Sequence, residues 1–332
     1  LIEHANHLDS HTTVVIPFYN GKDYIRSAVE SIYAQTVLPK EIIIVDDCST
    51  DDSYSLLNQL KGESQIPMQI HKLDQNSGGP VMPMSTGIRK ATTEFVTLLD
   101  QDDVMIPNRI KNQIAALKAV PSAFACTGFL IKIDQHGAII NDGFLKSVQE
   151  DFIAIGGTPI SGGIVLDPSL SRDYVFFKGT LTIASNTTLR KSTWEQMGGF
   201  GQGFRIAWDL DFSLRGLNQF DIVCVEEPVG FYRVHPGNTS GNSYQCAKEI
   251  AKCRRSWSVS PGRGLNLKTV KEKIAADSYG LSFLESQKGR HRDAIHLACL
   301  SFQLRPSFSA FMAVTKAMVK LVASPNQLFK HA

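Results

Sequence analysis

The segment Glu41-Ile42-Ile43-Ile44-Val45 presents apolar side chains to both faces of an extended chain. Only a strand roofed on both sides of its sheet buries such a run, so it points to a parallel α/β sheet. Two further runs are of the same kind: Thr12-Thr13-Val14-Val15-Ile16, ending at Pro17, and Glu94-Phe95-Val96-Thr97-Leu98-Leu99. Between them the period changes to that of a helix, with Tyr24, Ile25, Ala28, Val29, Ile32 and Tyr33 on one face. Residues 53–60 suit a helix, 68–73 a strand and 81–91 a helix, and Pro107 opens a helix running to about Val120. This alternation predicts a doubly wound, mostly parallel sheet.

The rest of the 332 residues is less regular. Residues 134–180, with Gly156-Gly157 and Gly162-Gly163, show no clean period and read as an insertion or a covering loop. Regular structure is expected again over 181–189, in a helix from Ser192 and in another over about 209–217. Beyond about Gly241 the chain reads as wholly helical. Within it Tyr279-Gly280, Leu284, Gly289, Ala294, Ala298 and Pro306 resemble one tetratricopeptide-like helix pair, which alone is a packing appendage rather than an array. The expected division is an N-terminal extension (1–11), a main domain (12–241, with halves 12–133 and 134–241) and a basic helical region (242–332).

With 43% hydrophobic and 20% charged residues the chain is not one that stays disordered. No apolar run approaches the roughly 20 residues that span a bilayer. The first residues lack the basic start and apolar core of a signal peptide. Six scattered cysteines without a CxxC read as reduced thiols of a cytoplasmic protein, which leaves the sequons at Asn186 and Asn238 without use. The net charge of +2 divides unevenly: 246–332 carries +10 and 1–245 carries −8. A basic tail suits a polyanionic surface as partner, or equally a solvated helical face. Phe308, Phe311, Met312, Val314, Thr315, Met318, Val319 and Val322, with Lys316 and Lys320 among them, give the last helix a broad apolar face. That face either packs on the main domain or lies peripherally on an anionic membrane. No P-loop, HExxH, Gly-x-Ser-x-Gly or nucleic-acid module is present.

Ligands of a doubly wound sheet bind beyond the carboxyl ends of its strands. Three such ends carry polar clusters here: Pro17-Phe18-Tyr19-Asn20, Asp46-Asp47-Cys48-Ser49-Thr50-Asp51-Asp52 and Asp100-Gln101-Asp102-Asp103. One acidic turn is ordinary capping chemistry. Two on one sheet edge repel each other unless a cation or hydrogen-bond donors intervene. A strand ending in Asp-x-Asp points alternate carboxylates the same way, which suits a hard ion such as Mn²⁺ or Mg²⁺. A haloacid-dehalogenase-type phosphatase uses a similar strand end, although usually on its first strand rather than about the fourth.

In order along the chain, Val14-Val15-Ile16-Pro17-Phe18-Tyr19-Asn20, Ser31-Ile32-Tyr33-Ala34-Gln35-Thr36, Glu41 to Asp51, Asn76-Ser77-Gly78-Gly79 and Leu99 to Asp103 resemble a family 2 glycosyltransferase of GT-A fold. The resemblance resumes at Gly198-Gly199-Phe200 and Trp208-Asp209-Leu210-Asp211-Phe212 with Arg215. It ends at Tyr232-Arg233-Val234-His235 and Ser240, so that it covers roughly residues 12–241. It implies inverting transfer of a sugar from a nucleotide-sugar donor to a hydroxyl of a saccharide or lipid-linked acceptor, with no nucleic-acid partner. Pro17, Tyr19, Asn20, Asp47, Asn76, Asp100 and Arg233 fall at its nucleotide-binding positions. Tyr19 matches the aromatic against the base, Asp47 the carboxylate that accepts the uracil imide N–H, and Asp100 the ribose contact. Asp102 and His235 match the metal site, and Asp209 the general base. Each has a structural alternative: Asp47 lining the core or capping, Asp209 capping its helix, Trp208 in the core, His235 purely structural, Arg233 paired with a carboxylate.

The pattern departs at one place that matters. Where relatives usually carry Ala-Arg-Asn ahead of a glycine, this chain has Pro83-Met84-Ser85 ahead of Gly87. The arginine expected at the diphosphate is Met84, which leaves Arg89, Arg205 and Arg233 as candidate cations. The expectation is a metal-dependent transferase favouring a UDP-sugar, working in polysaccharide, lipopolysaccharide or glycolipid assembly. The rivals are a catalytically degenerate nucleotide-binding relative and a metal-dependent phosphatase nucleophilic at Asp100.

Overall fold

The computed structural model describes residues 11–141, 143–201, 203–238, 243–257 and 265–323. The chain divides after Asn238 into two compact units. Residues 1–10 of the expected N-terminal extension, Ser240 and Gly241 lie outside the described residues.

In the first unit the apolar runs become strands β1 (Thr12–Phe18), β2 (Glu41–Asp46) and β4 (Phe95–Leu98), with β3 (Met68–Lys72) at the edge. Every residue of β1, β2 and β4 is buried, as a parallel core strand covered on both faces must be. Helices α1 (Ile25–Tyr33), α2 (Ser53–Glu63) and α3 (Val81–Lys90) are the crossovers. Gly87 in α3 lies against β1 so closely that an added Cβ would come 2.4 Å from Val15 Cγ1. Parallel register pairs Phe18 with Asp46 and Val15 with Leu98. Asp47 N–H then donates to Phe18 O (2.7 Å) and Leu99 N–H to Val15 O (3.1 Å), so all three polar clusters leave the sheet on one edge.

The chain continues through β5 (Val104–Met105), α4 (Arg109–Ala119), β6 (Ala123–Ile133), α5 (Phe144–Ile155), β7 (Gly157–Ile160), β8 (Gly163–Leu166) and α6 (Pro168–Phe177). After a 3₁₀ turn at Ala184–Asn186 come β9 (Thr188–Arg190), α7 (Lys191–Gln196), α8 (Trp208–Leu217) and β10 (Asp221–Arg233). The described strands form one sheet in the order β3-β2-β1-β4-β9-β6-β10-β8-β7, with β5 on β10. The half formed by β3, β2, β1 and β4 is parallel. In the other half β6 and β10 are parallel, while β9, β8, β7 and β5 pair antiparallel.

Residues 134–180 are therefore not a covering loop, as the sequence suggested, but a helix–hairpin–helix segment. Its period is obscured because the β7–β8 hairpin is short and partly exposed, while α5 and α6 bury only a few residues each. The 13-residue β10 also escapes a periodic reading. It carries Glu226-Glu227-Pro228 in its middle, and its register against β6 shifts there.

The second unit comprises α9 (Ser243–Trp257), α10 (Leu267–Gln287), α11 (His291–Leu304) and α12 (Phe308–Val322). The expected helix pair is α10–α11, turned at Gly289 with φ +76° and packed through Ala294, Ala298, Ser278 and Leu281. On α12, Ala310 and Ala317 are buried, and α12 packs on α11 and α10. Among the described residues no helix is long and apolar enough to cross a membrane.

Candidate active site

The β1 end is held in a tight arrangement. Asn20 sits at φ +47°, and its side chain pairs with Thr50, accepting from the backbone N–H (2.9 Å) and donating to Oγ1 (3.2 Å). Gln101 bridges both backbone groups of Tyr19, whose ring stays 40% exposed at the rim. Pro17 lies within β1, paired with Val45.

Asp47, buried at the end of β2, accepts Ser77 N–H on Oδ1 (2.8 Å). Asn76 donates to Asp47 O (2.9 Å) and accepts Gly78 N–H (2.9 Å), which pins the 76–79 loop to the second cluster. Burial raises the Asp47 pKa, opposed by the Ser77 hydrogen bond. Asn20 and Asn76 thus hold neighbouring loops in place, work that the sequence alone does not separate from ligand contact.

The third cluster gathers side chains from distant segments. Asp102 Oδ2 lies 2.8 Å from His235 Nε2 and 3.4 Å from Asn238 Nδ2. Two residues 133 positions apart, both expected at the metal, are brought together. The His235 ring rests 4.8 Å from that of Tyr24, and Asn238 fixes the turn by bonding His235 N–H and Arg233 O. Asp100 packs on Ser185, whose hydroxyl accepts its N–H (3.0 Å) and faces its Oδ2 (3.4 Å). Burial, then the Asp102 charge, pushes the Asp100 carboxyl up to about 7. Asp103 is 1% exposed; one oxygen accepts Arg233 N–H (2.8 Å) and the other has no hydrogen-bond partner. Its carboxyl is raised well above the usual range by burial and by Asp102 and Asp100.

Arg233 does not reach outward to a phosphate in this structure. Its guanidinium donates to the carbonyls of Asp102 (2.8 Å), Asp134 (3.3 Å) and Gln135 (3.4 Å), and lies 5.0 Å from the Tyr24 ring centre. Arg233 therefore clamps the strand that presents His235. Arg109 belongs to none of the sequence motifs. It is fully buried behind the acids and donates to Leu98 O (2.8 Å), Thr187 O (3.1 Å) and Ala184 O (3.5 Å). Burial lowers its pKa and Asp103 opposes that, and an arginine so bonded keeps its charge. It is a buried cation beside Asp103 and Asp100 of the third cluster. Nothing in the local sequence marks Arg109 or Ser185, because their partners come from distant segments.

Asp209 stands in the first turn of α8, where the helix dipole favours a carboxylate. It is not the cap, a position held by Ala207; its Oδ1 accepts the N–H of Leu210 (2.7 Å). Burial pushes its carboxyl up to about 7. Trp208 is a core residue, edge-on to Phe200 at 4.8 Å, and Phe200 in turn meets Trp194 and Phe212. This aromatic cluster fixes the start of α8. Arg215 closes it, pairing with Asp211 (2.8 Å) and the carbonyls of Met197 and Gly199. Met84 is wholly buried in α3, so the departure at that position is a packing residue rather than a gap in the wall of the site.

Asn186 is buried and bonded to Gly128 O and Leu181 O, so neither it nor Asn238 presents a side chain for glycosylation. Among the described residues no group of three His, Cys, Asp or Glu converges as an all-protein metal cage. The Asp102–His235 pair remains, with its two donor atoms at about the separation of neighbouring ligands on an octahedral ion (roughly 3 Å). Substrate phosphate and water normally complete such a shell.

Comparison with known proteins locates this arrangement. Residues 13–146 match the family model described as Glycosyl transferase family 2. The poly(ribitol-phosphate) beta-N-acetylglucosaminyltransferase TarS of Staphylococcus aureus is 32% identical over 106 residues, 31% of this chain and 18% of that protein. The putative teichuronic acid biosynthesis glycosyltransferase TuaG of Bacillus subtilis is 34% identical over 119 residues, 35% of this chain and 46% of that protein. The matches thus span less than half the length of these relatives. In structure, residues 1–349 of TarS in complex with UDP-GlcNAc superpose with a TM-score of 0.64 at 18% identity, over 96% of this chain and 93% of that one. The mannosyltransferase PcManGT of Pyrobaculum calidifontis, in complex with GDP-Man and Mn²⁺, gives 0.60 at 16% identity, over 98% and 90%. Those likenesses show the GT-A fold. Residues 13–146 thus match the family 2 glycosyltransferases, and the chain as a whole has the fold of the solved glycosyltransferases it resembles.

Proposed function

We propose that the protein transfers a sugar, with inversion, from a UDP-sugar to a hydroxyl of a saccharide or lipid-linked acceptor in cell-envelope polysaccharide assembly. The observation that carries the reading is the meeting of Asp102 and His235 on the edge where Tyr19, Asp47 and Asp100 also emerge. In this reading Tyr19 lies against the base, Asp47 accepts the imide N–H and Asp100 takes the ribose. Asp102 and His235 hold Mn²⁺ or Mg²⁺, which when bound neutralises charge on the departing nucleoside diphosphate. Asp209 removes the acceptor proton as the oxygen forms its bond to the anomeric carbon. The carbon–oxygen bond to the diphosphate breaks and the nucleoside diphosphate leaves with the electron pair. A carboxylate with a pKa of about 7 suits that work, since a base tuned near working pH combines ionisation with proton affinity.

Named relatives that act on poly(ribitol-phosphate) or in teichuronic acid synthesis support an envelope acceptor, and a neighbour solved with UDP-GlcNAc supports the uridine donor. The test is calorimetric titration of UDP, GDP, dTDP and CDP, each with and without Mn²⁺. Metal-dependent binding of UDP alone is expected; metal-dependent preference for another nucleotide overturns the donor, and binding of none overturns the reading. The degenerate alternative predicts that Asp209→Asn changes no rate.

For the second unit we place α12 at the inner face of an anionic membrane. Its exposed side carries Phe308, Phe311, Met318, Val319 and Val322, a stripe at helical spacing separate from the buried Ala310 and Ala317, with Lys316 and Lys320 exposed beside it.

A further inference from the structure

Several cations of the second unit are held by acids of the same unit. Arg254 and Lys273 meet Asp277, and Lys248 and Arg290 meet Glu285. Lys268, Lys271 and Arg305 differ: among the described residues none of the three side chains has an ion pair or a hydrogen bond. All three line one cavity of about 410 Å³, where α10 begins and α11 runs into α12, with Leu267 and Leu304 as its apolar wall. That volume lies within the roughly 300–1,000 Å³ of small-molecule sites. Glu272 is the one carboxylate in the lining. Three like charges around a cavity, with a single acid among them, favour an anion between them.

The surroundings of the cavity select the kind of anion. Lining residues 304–306 lie between Phe302 and Phe308 in the chain, and the Phe302 ring is 6.4 Å from that of Phe311. The cations and these rings therefore share one end of the helical unit. Phe308 is 79% exposed and Phe311 52%, and Leu267 on the cavity wall is 47% exposed. A free phosphate or an anionic polymer leaves those apolar groups in water. A phospholipid uses both features at once, its phosphate among the cations and its acyl chains against the aromatic side chains. We propose that this cavity binds the phosphate headgroup of an anionic phospholipid, so that the second unit docks on a membrane through a recognised headgroup as well as through the apolar stripe. The assignment rests on the membrane placement of α12 above and adds to it a site and a ligand class.

The experiment is calorimetry of the full chain with dihexanoyl-phosphatidylglycerol below its micelle concentration, where no membrane surface potential acts. Dihexanoyl-phosphatidylcholine, inorganic phosphate and a soluble polyphosphate chain are the comparison probes. Wild type should bind the phosphatidylglycerol monomer saturably and more tightly than any of the three. Loss of charge-assisted contacts predicts that binding weakened about 10- to 100-fold in Lys268→Gln with Lys271→Gln. Lys268→Arg with Lys271→Arg should retain it. Lys111→Gln with Lys118→Gln removes the same charge from exposed positions of α4 and should bind within about twofold of wild type. An equal loss from the α4 pair makes the effect one of net charge and overturns the site. Inorganic phosphate or polyphosphate binding as tightly as the lipid overturns the lipid assignment. Sedimentation of the same chains with phosphatidylglycerol vesicles separates this proposal from the α12 reading. Wild type that sediments yet binds no monomer overturns the cavity and keeps the stripe, and wild type that does neither overturns both.

Discussion

Asp209→Asn should leave the protein more stable while removing its activity, and the gain should depend on pH. The carboxyl titrates at about 7 in the folded chain against 3.8 for the ordinary group. The folded state therefore holds this proton more tightly than the unfolded state, and stability falls as pH rises from about 4 to about 7. At about 1.4 kcal/mol per pKa unit the full penalty above pH 7 is about 4 kcal/mol. Water reaches part of the side chain, so about 2 to 3 kcal/mol is the figure to expect. Asparagine has nearly the same shape, still accepts the Leu210 N–H, and carries no charge to desolvate. The assay is thermal unfolding of wild type and variant, without nucleotide, at pH 5 and at pH 8.5. The other titrating groups are common to both chains and largely cancel. The variant should gain about 5 °C or more at pH 8.5 and much less at pH 5. An equal gain at both pH values, or a loss at pH 8.5, would refute the argument that burial alone strains this carboxylate. Transfer by the same variant should be abolished at every pH; substantial residual transfer moves the base elsewhere.

Asp102→Ala and His235→Ala should each abolish the metal dependence of nucleotide binding; equal affinity with and without Mn²⁺ in wild type would end the metal assignment. Arg109→Met removes the donor to three buried carbonyls and the cation behind the acids, so urea unfolding should show a loss of about 3 kcal/mol or more, and a near-neutral variant would mean the cluster is held by other means. Gly87→Ala drives a methyl to 2.4 Å from Val15 and should cost about 1–3 kcal/mol, again by urea unfolding, with no effect predicted for the exposed Gly62→Ala beyond a small gain. Phe308→Ser with Phe311→Ser should reduce sedimentation with phosphatidylglycerol vesicles at low salt, and unchanged sedimentation would make the α12 stripe something other than a membrane contact.

Residues 12–105 are the most legible part of the chain, and the reason is local. A parallel strand buried on both faces must be apolar throughout, and its crossover helix must show a 3.6-residue period, so β1, β2, β4, α1 and α3 announce themselves. Parallel strands must end on one shared edge, so their order in the chain is enough to bring Tyr19, Asp47 and Asp100 together. Nothing so local marks β10, interrupted by Glu226-Glu227-Pro228, or the helices and hairpin of 134–177, which are only partly buried. The site divides in the same way. Asp102 and His235 stand out in their motifs; that they touch depends on β10 returning beside β6 and on Asp103 and Asn238 fixing the turn. Arg233 stands in a motif, yet carbonyls from two other segments take its guanidinium. Arg109 and Ser185 carry no motif at all. The sequence determined which strands are buried and which edge bears the carboxylates, because burial and period are properties of neighbouring residues. Tertiary structure alone decided which cation faces which acid, because in a low-dielectric interior that depends on approach to within a few ångströms of groups more than a hundred positions apart.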